Sequence, residues 1–437
     1  MTAPVWRNGH THVLPITAVR AMGTDPDRAS RWQGYEAEVA AWESNALPLA
    51  AALNGVKGEA LTLTAQRGWT TPLEAALFEQ GIDQMILDAL IGATREALPD
   101  FRRYLHAKAR LLGLPMLAWY DLSAPVAEGG GWTFETASAL ITEQFHAYAP
   151  ALGNVAERAF RERWIDAEPR PGKRGGGLCL WVGEGISRIR LEFYPRYDSV
   201  RTLAHELGHA YHSVVFAREK RTSLQIIATP PTVAETTSKF CEELVRRGAL
   251  RRAEERGAGR EQLALLDASL TSAHRSVVEA LTNFLFEDRF FALRRTRELG
   301  VEEINALMLE AQRETTGDAL DPAAPYPWSW AALPHLYLDG VSFYNLPYLF
   351  GLLFALGLHA RYLDDPTTFR PAFDDFLAST GLADPAELAA RFGIDLWSPD
   401  FWRAALATIR ADIERFETLV NQSADRNSTE KGLPRHT

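Results

Sequence analysis

Arg201-Thr-Leu-Ala-His-Glu-Leu-Gly-His-Ala-Tyr-His212 decides how this chain is read. At about 100° per residue a helix stacks His205 and His209 on one face, within reach of one metal ion. Glu206 falls about a quarter-turn round, beside such an ion rather than under it. Two imidazoles that hold a cation and one carboxylate that takes a proton from its water are what a hydrolytic zinc site needs. Leu203, Leu207, Ala210 and Val214 fall on the opposite face. One side of the helix therefore packs into a core while the other points at a cleft. Asp198 or Ser199 is placed to cap the helix start. His-Glu-x-x-His is short enough to arise by chance, and a helix with ordinary surface or core histidines is the plain alternative. The rest of the chain has to choose between them.

A catalytic zinc takes three protein ligands and keeps one position open. Pro230-Pro-Thr-Val-Ala-Glu-Thr-Thr-Ser-Lys-Phe240 offers the third in Glu235. The two prolines stop the preceding segment, and a new helix is predicted to begin near Thr232, with Glu235 in its first turn or two. An antiparallel helix pair returns Glu235 to the histidines. Taken alone, Glu235 reads as an N-terminal-turn glutamate favoured by the helix dipole. Glu242 and Glu243, two turns on, are lesser candidates for holding the ligands in place. His212 shares the face of His205 and His209 and is expected to be supporting or structural. The other histidines lack matching spacing. His10-Thr-His12 reads as incidental, near a loose terminus.

Pro334-His-Leu-Tyr-Leu-Asp-Gly-Val-Ser-Phe-Tyr-Asn-Leu-Pro-Tyr348 is a second constellation, with His335, Tyr337, Tyr344 and Tyr348. Peptide hydrolysis builds negative charge on the former carbonyl oxygen, and neutral donors such as a phenol or an imidazole N–H stabilise it. The alternative is an aromatic stripe leading into a core helix.

Helical periodicity covers Arg31–Ala65, Pro72–Leu98, Phe101–Leu112, Thr133–Glu162, Ala234–Arg247, Arg260–Arg297 and Val301–Thr316. Ser187–Tyr194 alternates strictly, with Ile189, Leu191 and Phe193 on one face, and is predicted to be a strand. It follows the glycine-rich stretch Gly175–Trp181 and leads into the histidine helix. An exposed edge there would pair with a peptide backbone. Residues 421–437 are polar without an apolar period and are expected to be a disordered tail. The 437 residues are 46% hydrophobic and 23% charged, an ordinary globular balance. A net charge of −10 argues against a nucleic-acid or anionic-membrane surface. The apolar run Tyr348–Leu358 is too short to span a bilayer. Two cysteines, Cys179 and Cys241, give no disulfide framework, and the N-terminus has no apolar signal region; a cytoplasmic location is expected.

Several segments together resemble the M3 family of metallopeptidases, in its oligoendopeptidase F branch. They are Trp119-Tyr-Asp-Leu-Ser-Ala-Pro125 with Lys108–Leu114 before it, Gly175–Cys179, Thr202–His212, Val233–Ser238, and Pro334–Tyr337 with Phe343–Tyr348. The motifs agree in order and spacing across residues 40–415. The resemblance implies a mainly helical fold over residues 1–420, with a deep cleft between N-terminal and C-terminal subdomains and a small sheet next to the histidine helix. It implies one zinc on His205, His209 and Glu235, Glu206 as general base, and His335, Tyr344 and Tyr348 near the substrate carbonyl. Its substrates would be short unstructured peptides. Only 204 residues precede His205, fewer than in typical members. An open cleft, or one closed in a homodimer, is therefore expected, and a metallo-carboxypeptidase or dipeptide-releasing mode stays open beside the endopeptidase. Arg188, Arg190 and Arg196 are the candidates to dock a free carboxylate. A non-catalytic peptide binder would have no need of Glu206.

Overall fold

The structure, a computed structural model, describes the chain except for residues 8, 128–130, 171, 174–175, 221–227 and 432–437. The chain begins with a hairpin, β1 (Thr2–Arg7) paired antiparallel with β2 (His10–Pro15). His10 and His12 are therefore in ordered β structure and not at a loose terminus. Alternation buries Ala3 and Val5 against Val19, Met22, Ala37 and Ala41, a small cluster apart from the main core. Val19 lies on α1 (Ile16–Ala21).

Most predicted helices form, and their breaks have local causes. Arg31–Ala65 divides into α2 (Arg28–Ser44) and α3 (Ala46–Gln66) at Asn45. There the Asn45 side chain donates back to the Ala41 carbonyl, 2.9 Å away, and competes with the helical ladder. α4 (Pro72–Gln80) ends at Gly81, whose φ of 69° suits glycine, and α5 (Gln84–Leu111) follows. α5 runs straight through Pro99, where the sequence predicts a break. Leu98, Phe101 and Leu105 are buried on either side, and that packing outweighs the lost backbone bond. α6 (Phe134–Tyr148) and α7 (Pro150–Arg161) part at Ala149, which is extended because it precedes a proline.

The centre of the molecule is built from α8 (Tyr197–Arg218) and α9 (Thr236–Glu255), which pack side by side. α10 (Gly259–His274) and α11 (Ala280–Arg294) are joined by a π-helical turn, Arg275–Glu279. α12 (Val301–Thr316) matches its predicted span. α13 (Leu346–Asp364) is long and apolar enough to cross a membrane, but Leu349, Phe350, Leu353 and Phe354 are wholly buried, as in a core helix. α14 (Pro366–Ser379) and α15 (Pro385–Ala390) lead to α16 (Pro399–Lys431). α16 continues past Asn421, where the sequence predicts a disordered tail. The stretch up to Lys431 contains no glycine or proline, so the packed part of the helix can propagate into it; residues 432–437 lie outside the described residues.

β3 (Ile165–Asp166), β4 (Leu178–Gly183) and β5 (Ile186–Arg190) form one sheet in the order β3-β5-β4. The predicted strand Ser187–Tyr194 is regular only to Arg190; Leu191 and Phe193 still donate to the Asp166 and Ala167 carbonyls. β5 lies between β4 and the short β3, which pairs with it at Ile189 and Arg190, so it is not an edge strand. That expectation is corrected: the edges are β3 and β4, and β4 is the longer.

Candidate active site

Helix α8 starts after Arg196 without a side-chain cap. Asp198 and Ser199, the predicted caps, lie inside its first turn, and Ser199 Oγ instead accepts from the Tyr194 amide at 2.9 Å. The helix buries Leu203, Leu207 and Ala210 and turns His205 and His209 to the cleft, their ring centres 4.9 Å apart. Glu235 sits at the junction between a one-turn helix, Pro231–Ala234, and α9.

Two glycines let it come close. A Cβ on Gly208 would stand 2.8 Å from Ser238 Cα, and a Cβ on Gly351 would stand 3.0 Å from Glu235 Cβ. α8 and α13 therefore approach the Glu235 segment at backbone distance. One ligand atom from each of His205, His209 and Glu235 lies within 4.8 Å of the other two.

The hydrogen bonds around this trio fit a cation. His205 Nδ1 lies 2.6 Å from Glu242 Oε1, so that nitrogen holds the proton of the neutral ring and Nε2 presents a lone pair. Nε2 faces Glu235 Oε2 at 3.3 Å, and that buried oxygen has no hydrogen-bond partner. His209 Nε2 stands 4.0 Å from Glu235 Oε1. Two nitrogen acceptors and a carboxylate converging on one space suit zinc. Burial disfavours charge on His205, but Glu235 and Glu242 outweigh it and raise its pKa to about 9. A metal therefore competes with a proton for this ring. Burial and the nearby His205 charge hold His209 down to about 3, a neutral ring ready to ligate. Glu235 falls to about 2: burial opposes this, and the adjacent His205 imidazole overcomes it. Glu242 is shared among His205, Lys239 Nζ at 2.9 Å and Arg201 at 3.2 Å.

Glu206 lies beside the trio, with burial pushing its carboxyl up to about 7. Gly177 covers it so closely that an added Cβ would meet Glu206 Oε1 at 1.9 Å. Edge strand β4 thus runs along the cleft, which has a volume of about 600 Å³ and is lined on this side by Leu178, Cys179 and Trp181. Of the glycine-rich stretch, Gly175 lies outside the described residues.

Tyr344 and Tyr348 line the opposite wall, their rings 5.9 Å apart. Phe343, buried and at a φ of 54°, turns Tyr344 outward. Such a backbone is held only where its surroundings insist. Here the Phe343 amide donates to Glu287 Oε2 at 3.0 Å, and Glu287 pairs with buried Lys57 at 2.7 Å. Lys57 also reaches the Val341 carbonyl at 3.3 Å. His335 is one ring further back, 5.3 Å from Tyr344, and does not line the cleft. Burial lowers its pKa, which favours the neutral imidazole. His212 is structural: its Nε2 lies 2.8 Å from Thr380 Oγ1 and 3.1 Å from the Leu377 carbonyl.

Residues 21–408 match the family described as peptidase family M3. The chain belongs to peptidase family M3. Within that family it is similar to the oligoendopeptidase F branch. It is 26% identical to an oligoendopeptidase F homolog of Lactococcus lactis subsp. lactis, over 82% of this chain and 58% of that protein. It is 24% identical to the group B oligopeptidase PepB of Streptococcus agalactiae, over 96% of this chain and 69% of that protein. The fold is that of the oligoendopeptidase-F structure from Enterococcus faecium, with a TM-score of 0.72 at 18% identity over 96% of this chain and 69% of that one. PZ peptidase A in complex with an inhibitor superposes with a TM-score of 0.76 at 14% identity, over 94% and 73%. The chain thus spans 58% to 59% of the length of the Lactococcus relatives.

In this M3 chain the sequence pattern gives no role to Lys57, Glu287, Lys239 or Arg201. Each is a charge inside a helix, and only the tertiary partner gives it meaning. Gly208 was visible in the motif; its use as a point of close approach was not. Of the two glutamates picked as supports, Glu242 contacts His205, and Glu243 instead pairs with Arg246 and Arg247.

Proposed function

We propose that the chain is a zinc-dependent peptidase acting on short, unstructured peptides. The observation that carries this is the convergence of His205 Nε2, His209 and Glu235 within 4.8 Å, with His205 Nδ1 already committed to Glu242. When bound by these three residues, zinc supplies a Lewis acid for the scissile carbonyl and lowers the pKa of water.

Glu206 is the general base. Its carboxylate accepts the proton of the attacking water and afterwards delivers it to the leaving amine. Gly177 leaves the carboxylate room to do so. Tyr344 and Tyr348 donate hydrogen bonds to the oxygen that gains negative charge, and neither brings a charge of its own. His335 supports this wall from behind Tyr344.

The free edge of β4 takes the peptide backbone, which leaves side-chain preference broad. The arginine arrangement supports internal cleavage over a carboxypeptidase mode. Among the described residues, none of Arg188, Arg190 and Arg196 lines the cleft, and the cations that do, Arg201 and Lys239, are held by Glu242. A cytoplasmic peptidase that binds neither nucleic acid nor membrane, working alone or as a homodimer, agrees with the acidic charge.

The experiment is mass spectrometry of the products released from an unbiased peptide mixture, with and without chelator. Internal cuts that vanish with chelator support the proposal. Removal of single C-terminal residues would put the chain in the carboxypeptidase class, and chelator-resistant cutting would dismiss the metal.

A further inference from the structure

A second cavity, of about 410 Å³, opens between helices α1 and α2 and the joint of α10 and α11. Among the described residues it shares no lining with the cleft. Its volume is that of a small-molecule site. Tyr35, Trp119 and Tyr326 give it an aromatic wall.

The charges on the remaining wall come in both signs. Arg20 and Glu38 stand 3.1 Å apart; Glu38 Oε1 also accepts from Trp42 Nε1 at 3.2 Å and Tyr326 Oη at 2.6 Å, which leaves Glu38 Oε2 for a ligand. Arg275 donates to Ser123 Oγ at 2.7 Å, and Glu279 is held low, against burial, by His274, Arg275 and Arg20. Arg31 also lines the cavity, but its guanidinium is spent on Asp121 and on the Asp25 and Pro26 carbonyls.

The π-helical turn Arg275–Glu279 makes this arrangement. On an α-helix, residues five apart point about 140° away from each other. A π turn bonds residues five apart and brings them to one side, and such turns are frequent at functional sites. It sets His274 Nδ1 3.6 Å from Glu279 Oε1. His274 Nε2 lies on the other side of the ring. That atom is buried and has no hydrogen-bond partner.

We propose that this cavity binds a small zwitterion, a free amino acid or a dipeptide. Its ammonium meets Glu38 and Glu279 beside His274, its carboxylate meets Arg20 and Arg275, and its side chain lies on the aromatic wall. A simple anion would confront the two glutamates, and a simple cation the two arginines. Only a ligand carrying both charges gains from each. Peptide hydrolysis releases molecules of this class, yet the site stands on the cavity alone.

Calorimetric titration of the full chain in chelator, so that nothing turns over, tests it. The probes are L-phenylalanine, Ala-Phe, phenethylamine, which lacks the carboxylate, and 3-phenylpropionate, which lacks the ammonium. L-phenylalanine or Ala-Phe should saturate one site, and each single-charge analogue should bind at least about tenfold more weakly. Arg20→Ala and Glu279→Gln should weaken the zwitterion by about the same factor, and Glu206→Gln should leave it unchanged. Arg275→Ala, at an exposed side chain, serves if Arg20→Ala, which also loses the bond to the Ala332 carbonyl, fails to fold. No saturable heat from either zwitterion overturns the proposal. So does equal binding of 3-phenylpropionate, or loss of binding in Glu206→Gln, which would place the ligand in the cleft.

Discussion

The two walls of the cleft are built on opposite terms. On the α8–α9 side, His205 and Glu242 are tied into a charged network in which Arg201 and Lys239 also take part. On the aromatic side, Tyr344 and Tyr348 line the cleft and Tyr344 is 38% exposed, while His335 Nε2 and Tyr337 Oη, buried without a partner, lie behind that lining. A metal site has to be rigid before its ion arrives, because carboxylates and imidazoles left to relax would pair with one another. A wall that meets an oxyanion needs donors that are not already spent. The aromatic wall gains its rigidity from behind, through Phe343, Glu287 and Lys57.

The largest effects should come from the charged wall. His205→Ala should lose metal and activity together, measured as zinc per chain and turnover. Glu206→Gln should keep zinc and lose about 100- to 10,000-fold in kcat. If it turned over at near-normal rate, the base would be elsewhere.

Next comes the aromatic wall. Tyr344→Phe keeps the ring and removes the donor, so kcat should fall about 100- to 1,000-fold with KM and zinc content little changed. Tyr337→Phe, away from the cleft lining, should be the milder. If both variants retained most of their kcat, this wall would be packing only and the comparison would collapse.

Gly177→Ala sharpens the boundary between the walls. The added methyl must displace the Glu206 carboxylate, and kcat should drop on the order of 100-fold while the thermal melting point barely moves. Glu242→Gln should weaken metal by about 10- to 100-fold and recover activity at high zinc, because it orients a ligand without being one.

A last effect, on stability and not on turnover, lies outside both walls. Burial holds His359 on α13 down to about 4, below its unfolded value near 6.5. Between those values the unfolded chain binds more protons, so this contribution, on the order of 3 kcal/mol, is lost as pH falls from 6.5 to 4. Melting of metal-free protein across that window should show the loss, and His359→Asn should flatten it.

How far the sequence reaches can be judged from particular residues. His205, His209 and Glu206 declare themselves by helical spacing alone, since three residues within one and a half turns have a fixed relation. Val301–Thr316 was legible for the same reason. Glu235 needed more, because nothing local separates a ligand from an N-terminal-turn glutamate. The edge strand was assigned to Ser187–Tyr194 because alternation reports a buried face and is silent on which neighbours complete the sheet. β4 took the edge once β3 paired with β5 from the other side.

The sequence by itself therefore determined the helical class, the two-histidine face and the Glu206 carboxylate beside it. Those depend on contacts within a turn or two, where backbone geometry leaves little choice. Only the tertiary structure decided that Glu242 fixes the His205 tautomer, that Gly208 and Gly351 admit Glu235, that Lys57 and Glu287 hold Tyr344 to the cleft, and that His335 stands behind it. Each joins segments far apart in the chain, and such a pairing is set by how whole helices pack, which no local pattern encodes.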